Sequence, residues 1–142
     1  MTALSKDIAR LRLGEPITQG RAPMATSTTF YAGSIVMTNA GGYATPGAVA
    51  TGQFARGVCS LGKANSGSNG AAEIAFEEGD FEFESGTVAD ALTVANIGDT
   101  VYIIDDNTVG ATDGTSTRSA AGKMVGLSPN GKPIVRIGLG LS

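Results

Sequence analysis

Histidine and tryptophan are both missing, and cysteine occurs once, at Cys59. Without histidine the chain lacks the side chain most used as a general base near neutral pH and as a metal ligand. A single cysteine rules out a disulfide framework within the chain. Charge is scarce too: Asp, Glu, Lys and Arg supply 16% of the 142 residues, against about 25% in ordinary globular chains. No stretch approaches the roughly 18 apolar residues of a membrane span. Residues 1–13, charged at Lys6, Asp7, Arg10 and Arg12, contain no apolar run of signal-peptide length. With one unpaired thiol, these absences predict synthesis in a reducing cytoplasm.

Small residues fill the deficit. Glycine alone contributes 21 positions, and 42% of the chain is hydrophobic. Such a composition suits short strands joined by tight turns and disfavours long helices, while the length suits one core. The expected fold is all-β with at most short helical turns, a compact β-sandwich or small β-barrel. Residues 1–29 show neither a helical nor a strand period and are interrupted by Pro16, Gly20 and Pro23, so they read as an extended N-terminal arm. Residues 4–13 have room for a helical turn or two, marginal without packing. Residues 30–142 read as a single β-domain.

Within that domain, residues 31–37 read as a strand, Asn39-Ala-Gly-Gly42 as a turn, and residues 43–49 as its hairpin partner around Pro46. Residues 57–61 form a further short strand, and residues 64–70 a mobile loop by composition. Residues 73–76 lead through Gly79 to Asp80-Phe-Glu-Phe-Glu84, where apolar and acidic residues alternate, turning Phe81 and Phe83 inward. Residues 93–97 have room for one helical turn before the strand 100–104. Asn130-Gly131 predicts a tight reversal between strands at 124–127 and 133–137. An internal echo relates Gly33 to Gly98 and Gly57 to Gly122, 65 residues apart in both cases, which two similar β-modules would explain.

The net charge is −3, unevenly placed. Lys6, Arg10, Arg12 and Arg21 fall in the first 21 residues, whereas residues 73–113 contain eleven carboxylates and no cation. The basic arm suits docking on an acidic neighbour, and these four cations are the residues expected to make that contact. Without interleaved aromatics they do not make a nucleic-acid surface.

No catalytic, cofactor or metal site is expected. Glu82 and Glu84 lie about 6.6–6.8 Å apart along one strand face, a spacing some inverting glycosidases use, but same-face carboxylates usually sit in water. Asp105-Asp106-Asn107 and Asp113-Gly114 lack the pattern of a calcium loop and are better explained by Asx turns. Gly122-Lys123 lacks the glycine of a phosphate loop, and Gly138-Leu-Gly140 comes too late for a dinucleotide site. Neither Lys63 nor Lys123 sits in a hydrolase motif, and Cys59 reads as a buried small hydrophobe.

Residues 89–109, Ala-Asp-Ala-Leu-Thr-Val-Ala-Asn-Ile-Gly-Asp-Thr-Val-Tyr-Ile-Ile-Asp-Asp-Asn-Thr-Val, continue through Thr112-Asp-Gly-Thr-Ser-Thr-Arg-Ser-Ala-Ala-Gly122. Together with Phe30-Tyr-Ala-Gly-Ser-Ile-Val-Met37 and Gly42-Tyr43-Ala44, they resemble the head decoration, or cement, proteins of tailed bacteriophages. The resemblance extends from Phe30 to Gly122, somewhat over half the chain, with 43 of the 142 residues in the quoted segments. It implies a non-enzymatic structural protein of the virion, made in the bacterial host cytoplasm, that binds the major capsid protein on the outer surface of the assembled head and stabilises it. It also implies a homotrimer on the capsid lattice, and no nucleic acid, membrane or small-molecule substrate. The rival is a carbohydrate-binding or adhesive β-module of a tail fibre or surface protein. Such sites present exposed aromatics, whereas Phe76, Phe81 and Phe83 fall at core positions.

Overall fold

The structure, a computed structural model, describes residues 18–139. Twelve strands carry nearly all of its regular structure. They are β1 (Thr18–Pro23), β2 (Thr28–Phe30), β3 (Ile35–Thr38), β4 (Ala44–Pro46), β5 (Phe54–Val58), β6 (Lys63–Asn65), β7 (Glu73–Glu82), β8 (Glu84–Ser85), β9 (Thr100–Ile103), β10 (Thr108–Gly110), β11 (Ala120–Leu127) and β12 (Pro133–Ile137). Single 3-10 turns occur at Val88–Asp90 and Val94–Asn96. The all-β expectation therefore holds. So does the expected helical turn near residue 95, closed by a capping box between Thr93 and Asn96.

The pairings close into two rings. In the first, β1 pairs with β7, β7 with β5, β5 with β3 and β3 with β4, and Met24, just past β1, bridges back to Ala44 in parallel. In the second, β7 pairs with β12, β12 with β11, β11 with β9 and β9 with β10; β8, just past β7, then pairs with β10 in parallel. These are two small barrels of one design, here called barrel 1 and barrel 2. They share β7, whose first six residues pair with β1 and whose last four pair with β12. The partner changes at Gly79, which takes φ +150°; Gly138 ends β12 with φ +148°.

The sequence echo is thus a structural repeat, position for position. Val36 pairs with Gly57 as Val101 pairs with Gly122, and Met37 with Ala55 as Tyr102 with Ala120, all 65 residues on. The register slips at the same step, leaving Arg56 and Ala121 as the extra residues of equivalent bulges. The Gly33 amide donates to the Cys59 carbonyl and the Gly98 amide to the Met124 carbonyl, both at 2.8 Å. Gly57 and Gly122 have the same reason to be glycine: a Cβ would stand 2.4 Å from the Glu77 carbonyl oxygen in one and 2.0 Å from that of Arg136 in the other.

Several expected elements shift. Residues 18–29 do not stand outside the domain. β1 lies along β7, and Ala22 and Met24 are buried with Val36, Cys59 and Phe76 in the core of barrel 1. Pro23 closes this strand opposite Glu73, and with Gly20 inside it the composition reads as an arm, which concealed the strand. Tyr31 lies in a turn, because the strand starts only at Ile35. The strand expected at residues 57–61 runs instead over Phe54–Val58, where β3 supplies its partner. The loop at 64–70 is tethered: β6 pairs with β2, and the buried Asn65 amide donates to the carbonyls of Met24, Ala25 and Ser68. The hairpins at β3–β4 and β11–β12 form as expected, the second with Gly131 at φ +77°. Phe83 is buried, and Phe81 packs half-buried against the same cluster.

The two barrels pack asymmetrically. The outer face of β3 and β5 in barrel 1, with Ile35, Met37, Ala55 and Val58, joins the interior of barrel 2 in a single cluster with Val101, Ile103, Met124 and Val135. The corresponding residues of barrel 2 are Thr100, Tyr102, Ala120 and Lys123, and none of them is buried.

Adding one methyl group at Gly122 forces backbone apart, since the clashing atom is a strand carbonyl. Gly122→Ala is expected to cost about 3 kcal/mol, with Gly57→Ala similar. By contrast Val88, 93% exposed, holds φ +56°, a left-handed conformation that its equivalent Ser27 shares at +57°. Val88→Gly is expected to raise stability by about 0.5–1 kcal/mol, the steric cost relieved less the entropy glycine loses. Urea unfolding of the three variants checks both signs.

Candidate docking surface

Of the four cations expected to dock, Lys6, Arg10 and Arg12 lie outside the described residues. Arg21 is exposed on β1 opposite Ala75, flanked across the ladder by Glu73 and Glu77. It borders an open groove with Gln19, Ser60 and Phe76, where β5 has parted from β7 beyond the Val58–Glu77 bridge. Gly20 floors the groove from below: a Cβ there would meet the Phe76 ring at 2.5 Å.

Arg56, which sequence reasoning did not single out, sits at the bulge of barrel 1 with its guanidinium carbon 5.0 Å from the centroid of the Phe76 ring. An arginine over an aromatic face contributes about 0.5–1 kcal/mol, more when desolvated. Its Nε is buried without a hydrogen-bond partner among the described residues. Nearby Glu78 is buried, and its carboxylate accepts from the Leu139 amide at 3.2 Å. Barrel 2 has Ala121 and Ile137 at the corresponding strand positions. One end of barrel 1 is therefore charged inside, while that of barrel 2 is apolar.

The acidic strand expected to be solvated is so. Asp80, Glu82 and Glu84 are exposed along one side, and two of them meet cations of the β12 hairpin. Arg136 grips Asp80 in a two-bond fork at 2.7 and 2.9 Å, and Lys132 reaches Glu84 at 2.7 Å. Hydrogen bonds from Ser128 and then Asn130 hold the Glu82 carboxyl below its ordinary range. A glycosidase acid requires the opposite shift, so this carboxylate is a poor proton donor. Cys59 is buried with its thiol pushed up, chiefly by burial, as fits a core hydrophobe. The Asx turns expected at 105 and 113 are present, with Asp105 accepting from the Asn107 amide at 2.8 Å and Asp113 from the Thr115 amide at 3.1 Å. Among the described residues no cluster of three or more potential ligands is arranged to hold a metal, and no helix is long and apolar enough to cross a membrane.

Tyr31 is the exposed aromatic that the strand reading hid. It borders a cleft of about 350 Å³ with Ser34 of barrel 1 and Asp106 and Asn107 of barrel 2. The Ser34 hydroxyl donates to the Asp106 carboxylate at 3.1 Å, and the Ile35 amide to the Asp106 carbonyl at 2.9 Å, so the cleft sits on a junction between barrels. Phe54, too, is exposed, at the start of β5. With this geometry in hand, comparison with known proteins adds no relative: no family model, curated protein or solved structure matches the chain.

The loop from 112 to 118 is held by one carboxylate. Asp90 accepts from the Thr112 amide and hydroxyl and from Arg118, at 3.1, 2.7 and 2.9 Å. Thr112 foremost, then Arg118, hold its carboxyl below the ordinary aspartate range. A lowered carboxyl adds stability that is present above the unfolded-state pKa and lost as pH falls through the folded value. The stability gap between wild type and Asp90→Asn is therefore expected to be flat near neutrality and to close on acidification below the ordinary aspartate range. Unfolding midpoints across that pH series measure it; a gap that persists in acid would contradict the assignment.

Proposed function

We propose that the chain is a non-enzymatic structural protein of a tailed bacteriophage, a decoration protein that binds the major capsid protein on the outer surface of the assembled head and cements the shell as a homotrimer. The observation that carries the reading is where the resemblance falls. Residues 30–37 and 42–44 fall around β3 and β4, and their equivalents 95–102 and 107–109 fall around β9 and β10, so the recognisable segments include both copies of one module. A cement protein must add contacts without deforming, and two closed barrels that share a strand leave few free edges to rearrange. The cations at Lys6, Arg10 and Arg12 precede β1, which begins at Thr18 beside Glu78 on the rim of barrel 1, and Arg21 continues the same basic stretch on the strand itself. Many weak contacts repeated by symmetry suffice for such attachment.

Co-sedimentation with mature, undecorated heads tests the reading. Saturable binding near one chain per capsid subunit, with greater survival of the heads on heating, is expected; binding to no head form would overturn it. Deletion of residues 2–17 is expected to abolish binding while both barrels stay folded. Deletion through residue 21 strips most of β1 from β7 and is expected to unfold barrel 1.

A sugar-binding adhesive module remains the second reading, favoured by one observation: the exposed ring of Tyr31 stands beside the carboxylate of Asp106 and the carboxamide of Asn107. An aromatic face with adjacent planar polar groups is the usual furniture of a pyranose subsite. A glycan array with Tyr31→Ala as control separates the two, since head binding requires no sugar.

A further inference from the structure

The duplication places two different residues at each position of one backbone. Where barrel 1 has Ala32, Ser60 and Gly62, barrel 2 has Ile97, Val125 and Leu127, each 65 residues on, and all six are exposed. The backbone frame is the same on both sides of these positions. The Cys59 amide donates to Ser34 as the Met124 amide donates to Asp99, and the Ser34 amide to Tyr31 as the Asp99 amide to Asn96. The fold thus accepts small or polar residues here, and nothing in barrel closure calls for three branched apolar side chains in water. Val94, 67% exposed, adds a fourth, because its carbonyl accepts from the Ile97 amide. An exposed apolar group that the fold does not require marks a contact surface.

Barrel 1 carries a second such surface at its own end. Tyr31 and Leu61 are 71% and 78% exposed, and Gly62 brings their turns together, since a Cβ there would lie 3.5 Å from the Tyr31 Cα. The exposed charges next along the chain from the two surfaces are opposite, while the half-buried Asp106 beside Tyr31 is engaged by the Ser34 hydroxyl. Lys63 follows Leu61, Asp99 follows Ile97 and Gly98, both are exposed, and among the described residues neither forms an ion pair. Lys123, the next cation along β11, is half-buried.

We propose that these surfaces dock on each other between copies: Tyr31 and Leu61 of one copy against Val94, Ile97, Val125 and Leu127 of the next, with Lys63 facing Asp99. Because the two surfaces differ, the contact is heterologous, and each copy keeps one unused surface until a ring closes. It supplies the contact for the oligomer in the proposed function. Its test uses the free protein, so it and head binding fail or stand separately.

Sedimentation velocity is run from about 10 µM to about 1 mM, which reaches contacts of millimolar strength. Leu61→Asp and Val94→Asp change exposed side chains, so each is expected to keep the wild-type circular dichroism and melting temperature. Each alone is expected to weaken association at least tenfold. Their equimolar mixture is expected to form a heterodimer and nothing larger, because one intact surface remains on each. Association of either variant like wild type would overturn the proposal. So would a mixture no more associated than its components, or a wild type that stays monomeric at the highest concentration. In that last case, loss of head binding by Val94→Asp would assign the patch to the capsid instead.

Discussion

Ring closure is the constraint on which the rest depends. A small sheet that must meet its own first strand needs backbones to approach without side chains between them, and it needs one strand to serve two neighbours. Gly57 and Gly122 satisfy the first need in each ring, where a single methyl group would strike a carbonyl oxygen of the adjacent strand. β7 satisfies the second by completing barrel 1 with its first half and opening barrel 2 with its second. Once β7 is shared, the two barrels cannot separate or slide, because a shift of register in one would move the ladder of the other.

Sharing also breaks the symmetry. Barrel 1 turns the outer face of β3 and β5 into the cluster that holds the interior of barrel 2, which buries Ile35 and Met37 on one side of β3 and Val36 on the other. A strand buried on both faces reads as a continuous apolar run, as Ile35-Val36-Met37 does. In barrel 2 the equivalent outer residues Thr100 and Tyr102 are only half-buried, and the strand alternates. The two modules differ where they face different surroundings: Arg56 against Ala121 inside, and Ser60 against Val125 outside. The candidate surfaces lie at these points of divergence.

The alternation of residues 80–84 and the Asn130-Gly131 reversal are properties of near neighbours along the chain, and the 65-residue echo shows when the sequence is compared with itself, so all were legible before the structure. Residues 18–29 were not, because β1 is a strand only by virtue of β7: Thr18-Gln-Gly-Arg-Ala-Pro has no apolar period of its own, and Gly20 is there to admit the Phe76 ring. The exposure of Tyr31 was hidden for a related reason, since its run of strand-forming neighbours is interrupted by a left-handed Gly33 whose role appears only when its amide meets Cys59. Asp90 and Arg118, 28 residues apart, carry no local signal of their pairing.

The amino-acid sequence alone therefore determined the class of fold, the alternating acidic strand, its turns and the scarcity of catalytic side chains, because propensity, alternation and composition act between residues close along the chain, and it showed the repeat because like residues recur at one spacing. Only the tertiary structure decided that the halves close as two barrels around one shared strand, that residues 18–29 belong to the first of them, and which of two equivalent positions faces water. Those are outcomes of long-range pairing, where the partner strand and not the local sequence settles what is buried.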